Sequence, residues 1–231
     1  IDGANKGTYG ILAFAIPQDD QRIVYINGSR RTGRSLELNI ITLNDGKLNF
    51  SLKNFEIPSR RAAESLFIDL KLSKDGSLVF YANSYLVILD ISNPELPGLE
   101  LEYNLRSIRT YAYTLSKDEN ILYWFGLTID NQKKLLVLNV SDIKSPQVLS
   151  SIILGQQNSE STEPIELSAD SETLFIGFSN GMLLIDVRVP SQAALSGYIY
   201  FRNEMNAPRF TNRSNLVFTA SLTGITSYNI T

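Results

Sequence analysis

LSKDGSLVFYAN (72–83), followed by LVILDISNP (86–94), is the stretch that decides the fold, because the chain repeats it. LSKDENILYW (115–124) precedes LLVLNVSD (135–142), LSADSETLFIGF (167–178) precedes MLLIDVRVP (182–190), and FTNRSNLVFTA (210–220) precedes GITSYNIT (224–231). A more divergent copy opens the chain, with IPQDDQRIVYI (16–26) and LELNIITLNDG (36–46). Self-similarity at roughly 40–50 residues marks a propeller or an array, in which each unit buries its apolar face against its neighbours.

Residues 66–105 show how one copy folds. Phe67-Ile68-Asp69-Leu70-Lys71-Leu72 alternates, which marks a half-buried strand. Ser73-Lys74-Asp75-Gly76 supplies residues that tolerate a tight hairpin. Leu78 to Tyr81 is rich in the side chains strands prefer, and Asn83-Ser84 makes the next turn. Leu86 to Ile91 is apolar on both faces and is expected between two layers. Asp90, Ser92 and Asn93 can bond the local backbone, and Pro94 cannot continue the ladder. Gly98 to Leu105 alternates again as a fourth strand, which recurs at 148–154, at 195–201 and, in the first copy, at 47–55. Four antiparallel strands in about 40 residues make a propeller blade. The expected fold is all-β, with blades at 10–55, 66–105, 108–154, 164–201 and 207–231 in one domain. All eight prolines fall at or near expected strand ends.

Composition narrows the chemistry. An apolar fraction of 43% over 231 residues can bury a core, and no apolar run is long enough to span a bilayer. Cysteine is absent, which removes disulfides, thiol nucleophiles and Cys-type zinc sites. Histidine is absent too, so the chain supplies no Ser-His-Asp triad and no His ligand for zinc. No metal site and no cofactor are expected. A net charge of −3 argues against a nucleic-acid partner.

On these repeats the chain resembles the LVIVD-repeat family, through LVILDISNPELP (86–97). LSKDGSLVFYAN (72–83) is similar to the turn and strand of YVTN surface-layer propellers. The resemblance implies a β-propeller and an exported, extracellular or cell-surface location, with an intracellular one as the alternative. It departs at Asn139 and Asn229, which stand where other copies have Asp90 and Asp186, and at Arg188-Val189 in place of Ser92-Asn93. Because the fifth copy stops after its third strand, the chain is expected to be a piece of a propeller of about six to eight blades rather than a closed five-bladed ring. The remaining blades, or a second subunit, are then expected partners.

Three groups of residues are candidates for chemistry. In a blade, the turns between strands two and three share a face with the blade-to-blade connections. Arg30, Arg31, Arg34, Arg60, Arg61, Arg106, Arg109 and Arg202 fall there, eight of the twelve arginines. The planar guanidinium suits carboxylate, sulfate or phosphate, so this face is expected to meet an acidic protein segment or an acidic glycan. The plain alternative is pairing with Glu56, Glu64, Glu160, Glu163 and Glu204 in neighbouring loops. Asp19-Asp20, Asp118-Glu119 and Asp170-Ser171-Glu172 lie on the opposite turns and lack a calcium-loop pattern, so hairpin chemistry is their expected role. Catalysis by paired carboxylates would fall to Asp69 and Glu166, the inner-strand acids of different blades. The leading expectation is a non-catalytic interaction or structural module. A glycoside hydrolase and an intracellular docking scaffold are the alternatives. Asn27, Asn49, Asn212 and Asn229 head glycosylation sequons; Asn139 heads another but sits in an expected buried strand.

Overall fold

The computed structural model describes residues 9–16, 22–29, 36–44, 47–49, 55–57, 70–82, 85–93, 96–105, 107–156, 165–178, 181–200, 206–210, 216–221 and 224–229. The chain divides into two compact units, Ile1–Arg109 and Thr110–Thr231.

In the first unit, β1 (Tyr9–Ala15), β2 (Arg22–Ser29), β3 (Leu36–Asn44) and β4 (Lys47–Asn49) follow in order, and β5 (Phe55–Ile57) also pairs with β3. The second sheet is β6 (Leu70–Leu72), β7 (Leu78–Ala82), β8 (Tyr85–Asp90) and β9 (Gly98–Asn104). Val24 and Ile26 of β2, and Leu38 and Ile40 of β3, share a core with Val79 and Tyr81 of β7 and Val87 and Leu89 of β8. Their period of two is the alternation of a pleated strand.

In the second unit the first sheet is β10 (Ser107–Leu115), β11 (Ile121–Thr128), β12 (Gln132–Asn139) and β13 (Gln147–Gln156). The next is β14 (Ile165–Leu167), β15 (Thr173–Phe178), β16 (Gly181–Asp186) and β17 (Ala194–Tyr200), with a 3₁₀ turn at Pro190–Gln192. β18 (Asn206–Phe210), β19 (Leu216–Ser221) and β20 (Gly224–Asn229) form a three-stranded sheet. Tyr123, Phe125, Leu135 and Val137 of one four-stranded sheet share a core with Ile165, Leu174, Ile176 and Ile185 of the other. The opposite face of β11 is buried as well, with Leu122 and Trp124 fully enclosed.

Successive four-stranded antiparallel meanders are the blades of an all-β propeller. No helix among the described residues is long and apolar enough to cross a membrane. Two features were beyond the sequence reading. The fourth strand of the first sheet is two short pieces: β4 pairs with one end of β3 at Thr42–Asn44, and β5 with the other at Leu36–Leu38. The outer strands β9, β13 and β17 each carry a bulge at the same place in the repeat. Register slips between Ile88 and Leu89, between Val137 and Leu138, and between Leu184 and Ile185. A bulge bends an outer strand and sharpens its twist, which discourages edge-to-edge pairing.

Candidate functional site

The most regular polar constellation lies on the hairpins joining the first and second strands of three blades. Each begins with a serine followed two residues later by an aspartate. The Ser73 hydroxyl donates to Asp75 Oδ1 at 2.6 Å, and its oxygen accepts the Leu78 N–H at 2.8 Å. Ser116 donates to Asp118 at 2.5 Å and accepts from Ile121 at 3.0 Å. Ser168 donates to Asp170 and accepts from Thr173 at 2.9 Å. Each carboxylate also accepts a backbone N–H two residues on, from Ser77, Asn120 and Glu172. The residue after each aspartate takes a positive φ: Gly76 at 66°, Glu119 at 62° and Ser171 at 66°. Of these three turns, only that at Gly76 places a glycine where the conformation most favours one. Sequence reasoning assigned Asp118 and Asp170 to hairpin chemistry, and the bonds show how they perform it, whereas Asp19 and Asp20 lie outside the described residues.

The same margin holds the ends of the third strands. Asp90 Oδ1 accepts the Ser92 N–H at 2.8 Å, Asn139 Oδ1 accepts the Ser141 N–H at 2.9 Å, and Asp186 Oδ1 accepts the Arg188 N–H at 3.1 Å. The Asn139 amide therefore makes the same backbone bond as the aspartates, with a neutral acceptor. Arg188 adds a guanidinium clamp on Asp186, with Nε 3.0 Å from Oδ1. One further bond closes each turn: Ser77, Asn120 and Glu172 accept from the residue after the third strand, Ile91, Val140 and Val187.

These bonds favour the ionised carboxylates. The serine hydroxyls hold Asp75, Asp118 and Asp170 below the ordinary carboxylate value of 3.8, with the backbone N–H groups and, at Asp118, the Asn120 amide adding to the effect. Asp186 is lowered to about 2, first by its side-chain bond to Arg188. A carboxylate whose value is depressed by folding stabilises the fold while ionised. Its contribution is present in full above the unfolded value of 3.8 and is lost as pH falls through the lower folded value. Melting temperature is therefore expected to hold level from about pH 7 to about pH 5, then to fall progressively towards about pH 2. Scanning calorimetry across that range checks it. Asp118→Asn should lower the melting temperature near neutrality and flatten the acid limb, whereas an unchanged acid limb would remove these turns as its cause.

A second constellation lies at the far end of the β11–β12 hairpin. Lys133 is 4% exposed. Its ammonium stands 4.6 Å from the Phe178 ring centroid and 5.7 Å from that of Tyr111. Phe125 lies between the two rings, tilted at 5.4 Å from Tyr111 and edge-on at 6.2 Å from Phe178. Aromatic faces stabilise a desolvated cation electrostatically. The sequence reading missed this group. Nothing in the sequence pattern singles out Lys133, and Phe178 enters from another sheet.

The predicted site residues are distributed unevenly. Arg109 lies on β10 and is half-buried. Arg30, Arg31, Arg34, Arg60, Arg61, Arg106 and Arg202 lie outside the described residues, as do Asp69 and Asn212. Glu166 is half-buried on β14. Asn27, Asn49 and Asn229 lie on β2, β4 and β20. Among the described residues, no three His, Cys, Asp or Glu side chains gather as a metal site would require.

Residues 75–105 match the family model described as LVIVD repeat. No curated protein matches the chain. Solved structures resemble it over nearly its whole length. A periplasmic gluconolactonase from Pseudomonas aeruginosa matches at 13% identity with a TM-score of 0.69, covering 95% of this chain and 66% of that one. A putative 6-phosphogluconolactonase from Bacteroides uniformis matches at 10% identity and 0.64, covering 95% and 71%. The hydrazine synthase of Kuenenia stuttgartiensis matches at 10% identity and 0.66, covering 94% and 64%. The chain thus spans about two thirds of the gluconolactonase chain's length. Enzymes with names this different share one fold with it, so the likeness is one of architecture alone.

Proposed function

We propose that the chain is a non-catalytic propeller module of a larger extracellular or cell-surface protein, and that its arginine-bearing loops recognise an anionic protein segment or glycan. One observation supports the non-catalytic part above all. Asp75, Asp90, Asp118, Asp170 and Asp186 are each engaged in shaping a turn. A general acid or nucleophile needs a carboxylate directed at substrate, with a protonation state tuned to its task. These carboxylates are bonded to their own backbone instead. The chain also contains neither histidine nor cysteine.

The anionic partner follows from arginine chemistry. Arg30, Arg31 and Arg34 fall within five residues, and clustered guanidinium groups favour bidentate contact with carboxylate or sulfate. Replacing all three by glutamine is expected to weaken binding to heparin or an acidic peptide by about tenfold or more at low salt, as loss of charge-assisted bonds implies. Surface plasmon resonance of the native and triple-variant chains measures it. Equal binding by both would end the arginine reading. A mass shift on enzymatic deglycosylation of protein from its source would support the exported location.

The alternative reading is catalytic, with Asp69 and Glu166 as the paired acids. Turnover of gluconolactone above the buffer rate, abolished in Asp69→Asn or Glu166→Gln, would favour it over the binding module. Inertness on lactones and on a glycoside panel would count against it.

A further inference from the structure

We infer that the β10–β13 and β14–β17 sheets open and close as one unit, joined by a side-chain clasp at each of three margins. At the hairpin margin, Lys117 Nζ donates to the Ala169 carbonyl at 2.7 Å, linking the β10–β11 turn to the β14–β15 turn. At the opposite ends of the strands, the Lys133 ammonium lies over the Phe178 ring at 4.6 Å, linking the start of β12 to the end of β15. On the outer strand, Ser150 Oγ of β13 donates to the Pro190 carbonyl at 2.7 Å, in the linker between β16 and β17.

These contacts lie at three margins of the sheets that share the apolar core. Repeat proteins owe much of their stability to interfaces between neighbouring units, so a repeat with weak interfaces can open alone. A contact across each margin opposes that opening, because one sheet cannot move away without breaking all three. Two of the contacts use the backbone carbonyls of Ala169 and Pro190 as acceptors. They depend on where the neighbouring chain runs and not on which side chain it carries. A joint of this kind also fixes the turns at both margins on one rigid base, from which neighbouring loops are presented.

Amide hydrogen exchange on the full chain, followed by mass spectrometry, tests the inference. In the native chain, the slowest amides of β11 and β12 should share one opening free energy with those of β15 and β16. Lys117→Met removes an exposed clasp and takes no volume from the core. It is expected to speed exchange in both sheets together by about fivefold, the consequence of losing one hydrogen bond. Ser150→Ala repeats the test from the outer strand, with the same joint response expected. Faster exchange confined to the substituted sheet, or no change in either sheet, would overturn the inference. So would distinct opening energies for the two sheets in the native chain.

Discussion

Truncating Trp124 to alanine is expected to lower the unfolding free energy by about 3–5 kcal/mol, the largest effect of any single substitution considered for this chain. The side chain is fully buried on β11, and its indole N–H donates to Thr110 Oγ1 at 2.7 Å. Removing it costs the transfer energy of a large apolar surface and leaves a cavity that the surrounding strands can only partly fill. Two milder variants separate packing from polarity. Trp124→Phe keeps much of the volume and removes the donor, with a loss of about 1–3 kcal/mol expected. Thr110→Val keeps the ring and leaves its N–H buried without this acceptor, at a cost of about 1–3 kcal/mol. Urea denaturation followed by far-ultraviolet circular dichroism measures all three, because the Trp124 variants have no tryptophan fluorescence to follow. A loss below about 1 kcal/mol for Trp124→Ala would mean that the blade does not pack around this side chain.

Adding a single methyl group at Gly181 is expected to cost about 1–3 kcal/mol. Gly181 opens β16 opposite Tyr200, and a Cβ there would press into the Ile199 carbonyl and the Tyr198 hydroxyl. A ring end can swing aside, but a carbonyl inside a ladder can move only with its strand. Most of the cost should therefore persist in a Tyr198→Ala background. Chemical denaturation of Gly181→Ala, Tyr198→Ala and the double variant completes the cycle. If the double variant recovers the stability of Tyr198→Ala alone, the obstruction is the ring and not the backbone. A neutral Gly181→Ala would show that β16 and β17 can part without cost.

The difference between these positions and the hairpin turns explains what could be read from residues alone. Ser73, Ser116 and Ser168 each act within a stretch of six residues, so their pattern stands intact in the sequence. Asn139 stood out as a departure from aspartate, yet its amide oxygen meets the same need. The strand sequence of each blade was legible for a similar reason: alternation and turn residues act locally. The first sheet was less legible. Its fourth strand reads as one run, but β4 and β5 pair with different ends of β3.

The proposed arginine site rests on sequence because seven of its eight residues lie outside the described ones, leaving Arg109 on β10. Lys133 illustrates the opposite case. Its burial depends on Tyr111 from one strand and Phe178 from another sheet, and neither is a neighbour in sequence.

By itself, then, the sequence determined the repeat, the order of strands in each blade and the chemistry of the hairpins, because bonds spanning two to five residues select among local conformations. Tertiary structure alone decided that Trp124 meets Thr110 fourteen residues away, that Lys117 reaches Ala169 across fifty-two, and that Tyr198 closes over Gly181. Those contacts depend on strand register and on the packing of one sheet against another, and a one-residue slip would turn every side chain to the other face.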